Sequence, residues 1–163
     1  MRVLGIDPGT AITGWGVVEG DGNDLQPVAY GVVTTPAGTP LPQRLQVIYR
    51  ELAEIVAKWQ PESSAIEELF FSKNAKTALA VGHGRGAAML ALANAGLPIA
   101  EYKPLEVKQA ITGHGGADKR QMQQMVKLLL SLDELPRPDD AADALAVAIC
   151  HLHSMRLRML ESQ

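Results

Sequence analysis

The chain has one cysteine, Cys150, among 163 residues. No disulfide can form within it, so stability must come from apolar packing, and a reducing, cytoplasmic setting is expected. Cys150 itself reads as a small buried hydrophobe on a helix. Aromatic residues are scarce at 4% while glycines number 15, which points to a core built by close backbone approach rather than by large rings. No apolar run nears the ~20 residues of a membrane-spanning helix, so no membrane partner is expected. The N-terminus lacks the charged-then-apolar pattern of a secretory leader. Excess positive charge is missing too: the formal net charge is −3. What is present is an ordinary globular composition, 47% hydrophobic and 20% charged, enough for a single domain over residues 1–163.

The charge is unevenly spread. Residues 72–130 hold eight basic side chains (Lys73, Lys76, Arg85, Lys103, Lys108, Lys119, Arg120, Lys127) against three acids, Glu101, Glu106 and Asp118. A basic face is therefore available to a phosphate-bearing partner, although such blocks are more often plain solvated surface.

Periodicity divides the chain into alternating strands and helices. Residues 2–7 and 12–19 read as strands joined by Asp7-Pro8-Gly9-Thr10, and residues 25–35 continue them as an antiparallel meander. Leu45, Ile48, Leu52, Ile55, Val56 and Trp59 mark an amphipathic helix from Leu41. Ser63 to Glu67 and Ile99 to Tyr102 are short strands. Between them, Ala75 to Ala95 has helical spacing despite Gly82, Gly84 and Gly86, each costing about 1 kcal/mol of helix propensity against Ala. Three glycines there predict a tight helix–helix contact, within the chain or between subunits. Pro104 opens a short helix, Asp118 with Gln121 forms a capping-box signature for another, and a last helix runs from Asp139 to about Arg156.

Four carboxylates stand at element ends. Asp7 closes the first strand, where an ionised Asp is unfavourable unless it caps the following turn or binds a cation. Glu67 closes the fourth strand. Asp140 and Asp143 are three apart near a helix start and share a face that continues inward as Val147 and Cys150. Two such acids at the mouth of a core repel, and a hard divalent ion relieves that conflict. The first and fourth strands can be sheet neighbours, which would gather all four acids into a site for two metals that hydrolyses a phosphodiester. Read separately, the same residues are helix caps, surface acids and a strand-end accident.

Gly5-Ile6-Asp7-Pro8-Gly9-Thr10, Ala65-Ile66-Glu67 and Asp140-Ala141-Ala142-Asp143-Ala144-Leu145-Ala146, in that order, resemble the RuvC family of Holliday junction resolvases. The similarity spans nearly the whole chain and includes the Phe70–Asn74 linker and Val107-Lys108-Gln109. It implies an α/β, ribonuclease H-like fold, a five-stranded mixed sheet flanked by helices on both faces. The implied activity is that of a metal-dependent endonuclease, working as a homodimer, that resolves four-way DNA junctions by paired symmetrical nicks in recombination and repair. It also implies Asp7, Glu67, Asp140 and Asp143 as ligands of two Mg²⁺ ions, with Mn²⁺ a substitute, and RuvA and RuvB as branch-migration partners. Lys108 and Lys119 match basic residues beside the cleaved strand. Phe70 matches an aromatic that stacks on junction bases, with Phe71 its competitor for that role. Lys73, Lys76 and Arg85 are candidate phosphate contacts.

Three other readings remain at this point. A ribonuclease H-like nuclease of ribosomal RNA precursors would lack the aromatic linker and the paired aspartates. A sugar-kinase or actin-type protein shares Gly-Ile-Asp-x-Gly-Thr but needs two such domains. A junction-binding module with a dead site would have lost at least one of the four acids.

Overall fold

The computed structural model describes residues 1–69 and 74–162. Its first strand, β1 (Arg2–Asp7), alternates with period two. Leu4 and Ile6 enter one apolar core and Val3 enters another on the opposite face. Gly5 and Asp7 share the face of Val3 by the same alternation. β2 (Ile12–Gly20) and β3 (Leu25–Thr34) follow as the expected antiparallel meander. β4 (Ser63–Glu67) lies parallel to β1 on its other side, and β5 (Ile99–Tyr102) lies parallel to β4. The sheet order is β3-β2-β1-β4-β5, so the first and fourth strands are neighbours.

Two helices cover one face. α1 (Leu41–Trp59) turns Ile48, Leu52 and Val56 inward, and α2 (Ala75–Asn94) adds Ala88, Ala91 and Leu92. The other face carries α3 (Pro104–Thr112), α4 (Lys119–Leu129) and α5 (Asp139–Glu161). The capping box at α4 forms as expected, with Asp118 accepting from the Gln121 N–H at 2.8 Å. α5 runs past the expected Arg156 to Glu161, because Leu157 to Glu161 contains no helix breaker. Cys150 is buried in α5 as expected. Beside it, the buried His151 ring bonds Ser63 Oγ at 2.8 Å and the Tyr102 hydroxyl at 2.9 Å, tying α5 to β4 and β5.

α5 approaches the sheet at backbone distance, and glycine makes this possible. A Cβ at Gly5 would collide with the Ala144 carbonyl, and one at Gly14 with the Asp140 carbonyl. One at Gly16 would stand 2.7 Å from the Leu145 side chain. Gly5 and Gly16 are register partners, and Asp7 is the partner of Gly14. The first turn of α5 therefore sits directly beside Asp7.

Within one chain the α2 glycines make no tight contact with another helix. A Cβ at Gly84 would lie 2.6 Å from the Gly9 carbonyl oxygen, so α2 makes its tight contact with the β1–β2 turn and not with a helix. Gly82 and Gly86 meet no helix backbone: a Cβ on the first would touch Leu69, and one on the second nothing within 4 Å.

Gly14→Ala should therefore displace the start of α5. Urea unfolding should show a loss of about 1–3 kcal/mol, the usual cost of overpacking. Wild-type stability in that variant would contradict the backbone contact described here.

Candidate active site

The sheet puts two acids side by side. Gly5 pairs with Ala65 and Ile6 with Ile66, so Asp7 and Glu67 leave adjacent strand ends together. Alternation from Val3 and Gly5, and from Ser63 and Ala65, points both toward the α5 face. α5 then delivers Asp140 and Asp143 from the β2 side, over Gly14. Asp7 is thus flanked by Glu67 across one strand and by the two aspartates across the other. Its carboxyl faces these acids, while the turn after it is tied by other groups. Thr13 Oγ1 donates to the Gly9 carbonyl at 2.6 Å, and Thr35 Oγ1 donates to that of Thr10.

Proton affinities record the crowding. Burial, and then the charges of Glu67, Asp143 and Asp140, push the Asp7 carboxyl up to about 8. Burial and Asp143 push Glu67 up to about 6, against the pull of Lys108. Burial also raises Asp143, opposed by Lys119. Asp7 is raised further than Glu67. Lys119 Nζ lies 3.4 Å from Asp139 and 3.7 Å from Asp143. Burial works against its charge, yet Asp143 and Asp139 outweigh burial and raise its pKa.

Glu67, Lys108, Lys119 and Asp143 line a cleft of about 260 Å³. A neighbouring cleft of about 300 Å³ is lined by Asp7, Pro8, Glu67, Leu69 and Thr77. Among the described residues no three acidic, histidine or cysteine side chains close around a single point. The four acids gather at the strand ends and the start of α5 without closing on one point. As a donor set they fit a hard divalent cation: all oxygen, partly desolvated, and in electrostatic reach of one another.

The structure gathers the four acids, and Lys108 and Lys119 that the resemblance implies, at one end of the sheet. Lys76 is exposed in the first turn of α2, clear of both clefts. Phe70, Phe71 and Lys73 lie outside the described residues. Arg85 requires a correction. Its side chain is 16% exposed, Nε donates to the Glu67 carbonyl at 3.2 Å, and Nη2 is ion-paired with Glu101. A guanidinium so engaged is not free to hold a phosphate. The glycines under α5 were missed, although Gly14-x-Gly16 within a strand is the pattern left where another backbone comes close.

Comparison with known proteins gives a consistent result. The family model described as crossover junction endodeoxyribonuclease RuvC matches residues 3–151. A crossover junction endodeoxyribonuclease RuvC of Chloroflexus aggregans is 62% identical over 154 residues, covering 94% of each chain. The structure of T. thermophilus RuvC in complex with a Holliday junction substrate superposes with a TM-score of 0.92 at 39% identity, over 97% of this chain and 96% of that one. The yeast mitochondrial Holliday junction resolvase shares the fold, with a TM-score of 0.70 at 13% identity, over 98% of this chain and 81% of that one. The five-stranded mixed sheet is that of the ribonuclease H-like fold.

The raised carboxyl pKa values give metal-free stability a definite pH dependence. Asp7 and Glu67 bind protons more tightly folded than unfolded, so their contribution is full below about pH 4. It is lost as pH rises through about 6 and then about 8. In chelator, the thermal midpoint should fall between pH 5 and pH 8, within that window, and divalent ion should restore it most at the upper end. A flat profile in chelator would contradict the crowding of these acids.

Proposed function

The chain belongs to the RuvC family of crossover junction endodeoxyribonucleases, and from that premise we propose how it resolves four-way DNA junctions. The observation that carries the reading is the meeting of Asp7, Glu67, Asp140 and Asp143 at the ends of β1 and β4 and the start of α5. Asp7, Glu67, Asp140 and Asp143 would together hold the Mg²⁺ ions, two in number by resemblance. Mn²⁺, equally an oxygen-seeking ion, should substitute. Such ions, when bound, lower the charge at the scissile phosphate and activate the attacking water.

The chain's own residues do the rest. Lys108 and Lys119 border the cleft beside Glu67 and Asp143, where an ammonium can hold the strand and steady charge developing on it. Lys119, paired with Asp139 and Asp143 and with its side chain 58% exposed, would be available to a phosphate entering the cleft. Lys76, exposed at the start of α2, is a candidate contact to the outer backbone. Phe70 and Phe71 remain the proposed stacking residues, and Lys73 a proposed phosphate contact, by resemblance. Both apolar cores pack on one sheet, which supports reading residues 1–163 as one domain; a cytoplasmic setting remains the proposed one. No helix among the described residues is long and apolar enough to cross a membrane. RuvA and RuvB are the proposed branch-migration partners.

Two opposed nicks require two sites, and α1 and α2 present a face for a second copy. Pro42, Leu45, Tyr49, Gly82, Gly86 and Leu90 line an apolar groove of about 520 Å³ there. Leu90 is 55% exposed and Leu79 64%. A second α2 laid against Gly82 and Gly86 would give these glycines the helix contact they lack within one chain.

The decisive assay compares a synthetic four-way junction with linear duplex. Mg²⁺ should produce symmetrical nicks in the junction, chelator none. Asp140→Asn should cut cleavage by more than about 100-fold while junction binding survives. Equal cutting of linear duplex would remove junction selectivity. In sedimentation, wild type should run as a dimer and Leu90→Glu as a monomer; a monomeric wild type would remove the α1–α2 interface.

A further inference from the structure

Arg85 stands on the covered side of α2, one residue after the glycine that presses on the β1–β2 turn. Its three nitrogens are all engaged. Nε donates to the Glu67 carbonyl at 3.2 Å, Nη1 lies 3.3 Å from Met89 Sδ, and Nη2 pairs with Glu101 on β5.

The Glu67 carbonyl needs such a donor, and the reason lies in the sheet. The N–H groups of Ser64 and Glu68 point to β5, donating to Pro98 and Tyr102 at 2.9 and 2.8 Å. Glu67, between Ile66 and Glu68, therefore turns its own backbone groups toward β1. In a parallel ladder with Ile6 opposite Ile66, the N–H that would answer the Glu67 carbonyl belongs to residue 8. Residue 8 is Pro8, which has no N–H. The turn that follows Asp7 thus leaves the last peptide of β4 without its ladder partner.

We propose that Arg85 is the positioning residue for Glu67: its guanidinium replaces the ladder hydrogen bond that Pro8 cannot make and so fixes the direction in which the Glu67 carboxylate leaves β4. Glu101 holds the guanidinium in place for this purpose. Gly84 and Arg85 together let one turn of α2 brace both acid-bearing strand ends, Gly84 against Gly9 and Arg85 against Glu67. The inference rests on the metal-site reading above, and it assigns Arg85 no contact with DNA.

The test uses the full chain and measures Mn²⁺ binding directly, by free-ion titration, beside junction affinity in chelator. Arg85→Met should weaken Mn²⁺ binding about tenfold or more, as loss of a group that orients a ligand does, and leave junction affinity within about twofold. Glu101→Gln frees the guanidinium without removing it and should weaken Mn²⁺ binding in the same direction by a smaller factor, which keeps the test open if Arg85→Met folds poorly. A phosphate contact predicts the opposite sign, because removing Glu101 would release Arg85 for DNA and tighten the junction complex. Tighter junction binding by Glu101→Gln, or unchanged Mn²⁺ binding by both variants, would overturn the proposal. Wild-type Mn²⁺ binding no stronger than that of Asp140→Asn would instead remove the metal site itself, and the positioning role with it.

Discussion

Everything at the site depends on the contact of α5 with the glycines of β1 and β2. Gly5, Gly14 and Gly16 have no side chains to hold the helix off, so the Asp140 and Ala144 carbonyls settle against the sheet. Any β-carbon there would lift the helix and separate its aspartates from Asp7. The alanines at 141, 142, 144, 146 and 148 complete the arrangement from the helix side, since all are buried and none demands more room. This contact explains how a chain with few aromatics builds a core and why its four candidate acids gather at one end of the sheet.

The closeness has an electrostatic cost. Four carboxylates at the rim of a core, two with pKa values raised to about 6 and about 8, oppose folding at neutral pH. Lys119 and Lys108 offset part of it, but Lys119 is more than half exposed and its ion pairs are worth little. Divalent cations bound as proposed would relieve the remainder and so couple stability to metal.

α2 joins the two halves of the activity. One side of it braces the strand ends that carry Asp7 and Glu67, through Gly84 and Arg85. The other side, with Gly82, Gly86 and Leu90, forms the groove proposed for a second subunit. A helix that is apolar or small on most of its circumference suits an element with neighbours on two sides. Pairing of subunits and positioning of metal ligands then share one rigid body.

Much of this was legible in the residues. The strand readings ended at Asp7 and Glu67, three-residue spacing put Asp140 and Asp143 together, and turn and cap residues bounded most elements closely. The carboxylates at element ends suggested a cation site only when taken together, since each read separately was also a cap, a surface acid or a strand-end accident. Local periodicity carries no information about which strand lies beside which, or which helix lies over them. Strand order made Asp7 and Glu67 neighbours, glycine contacts brought α5 down beside them, and the Glu67 carbonyl and Glu101 engaged Arg85, whose charge alone suggested DNA. Those outcomes are set by distances between segments far apart in the chain, which exist only once the sheet has formed and the helices have packed on it.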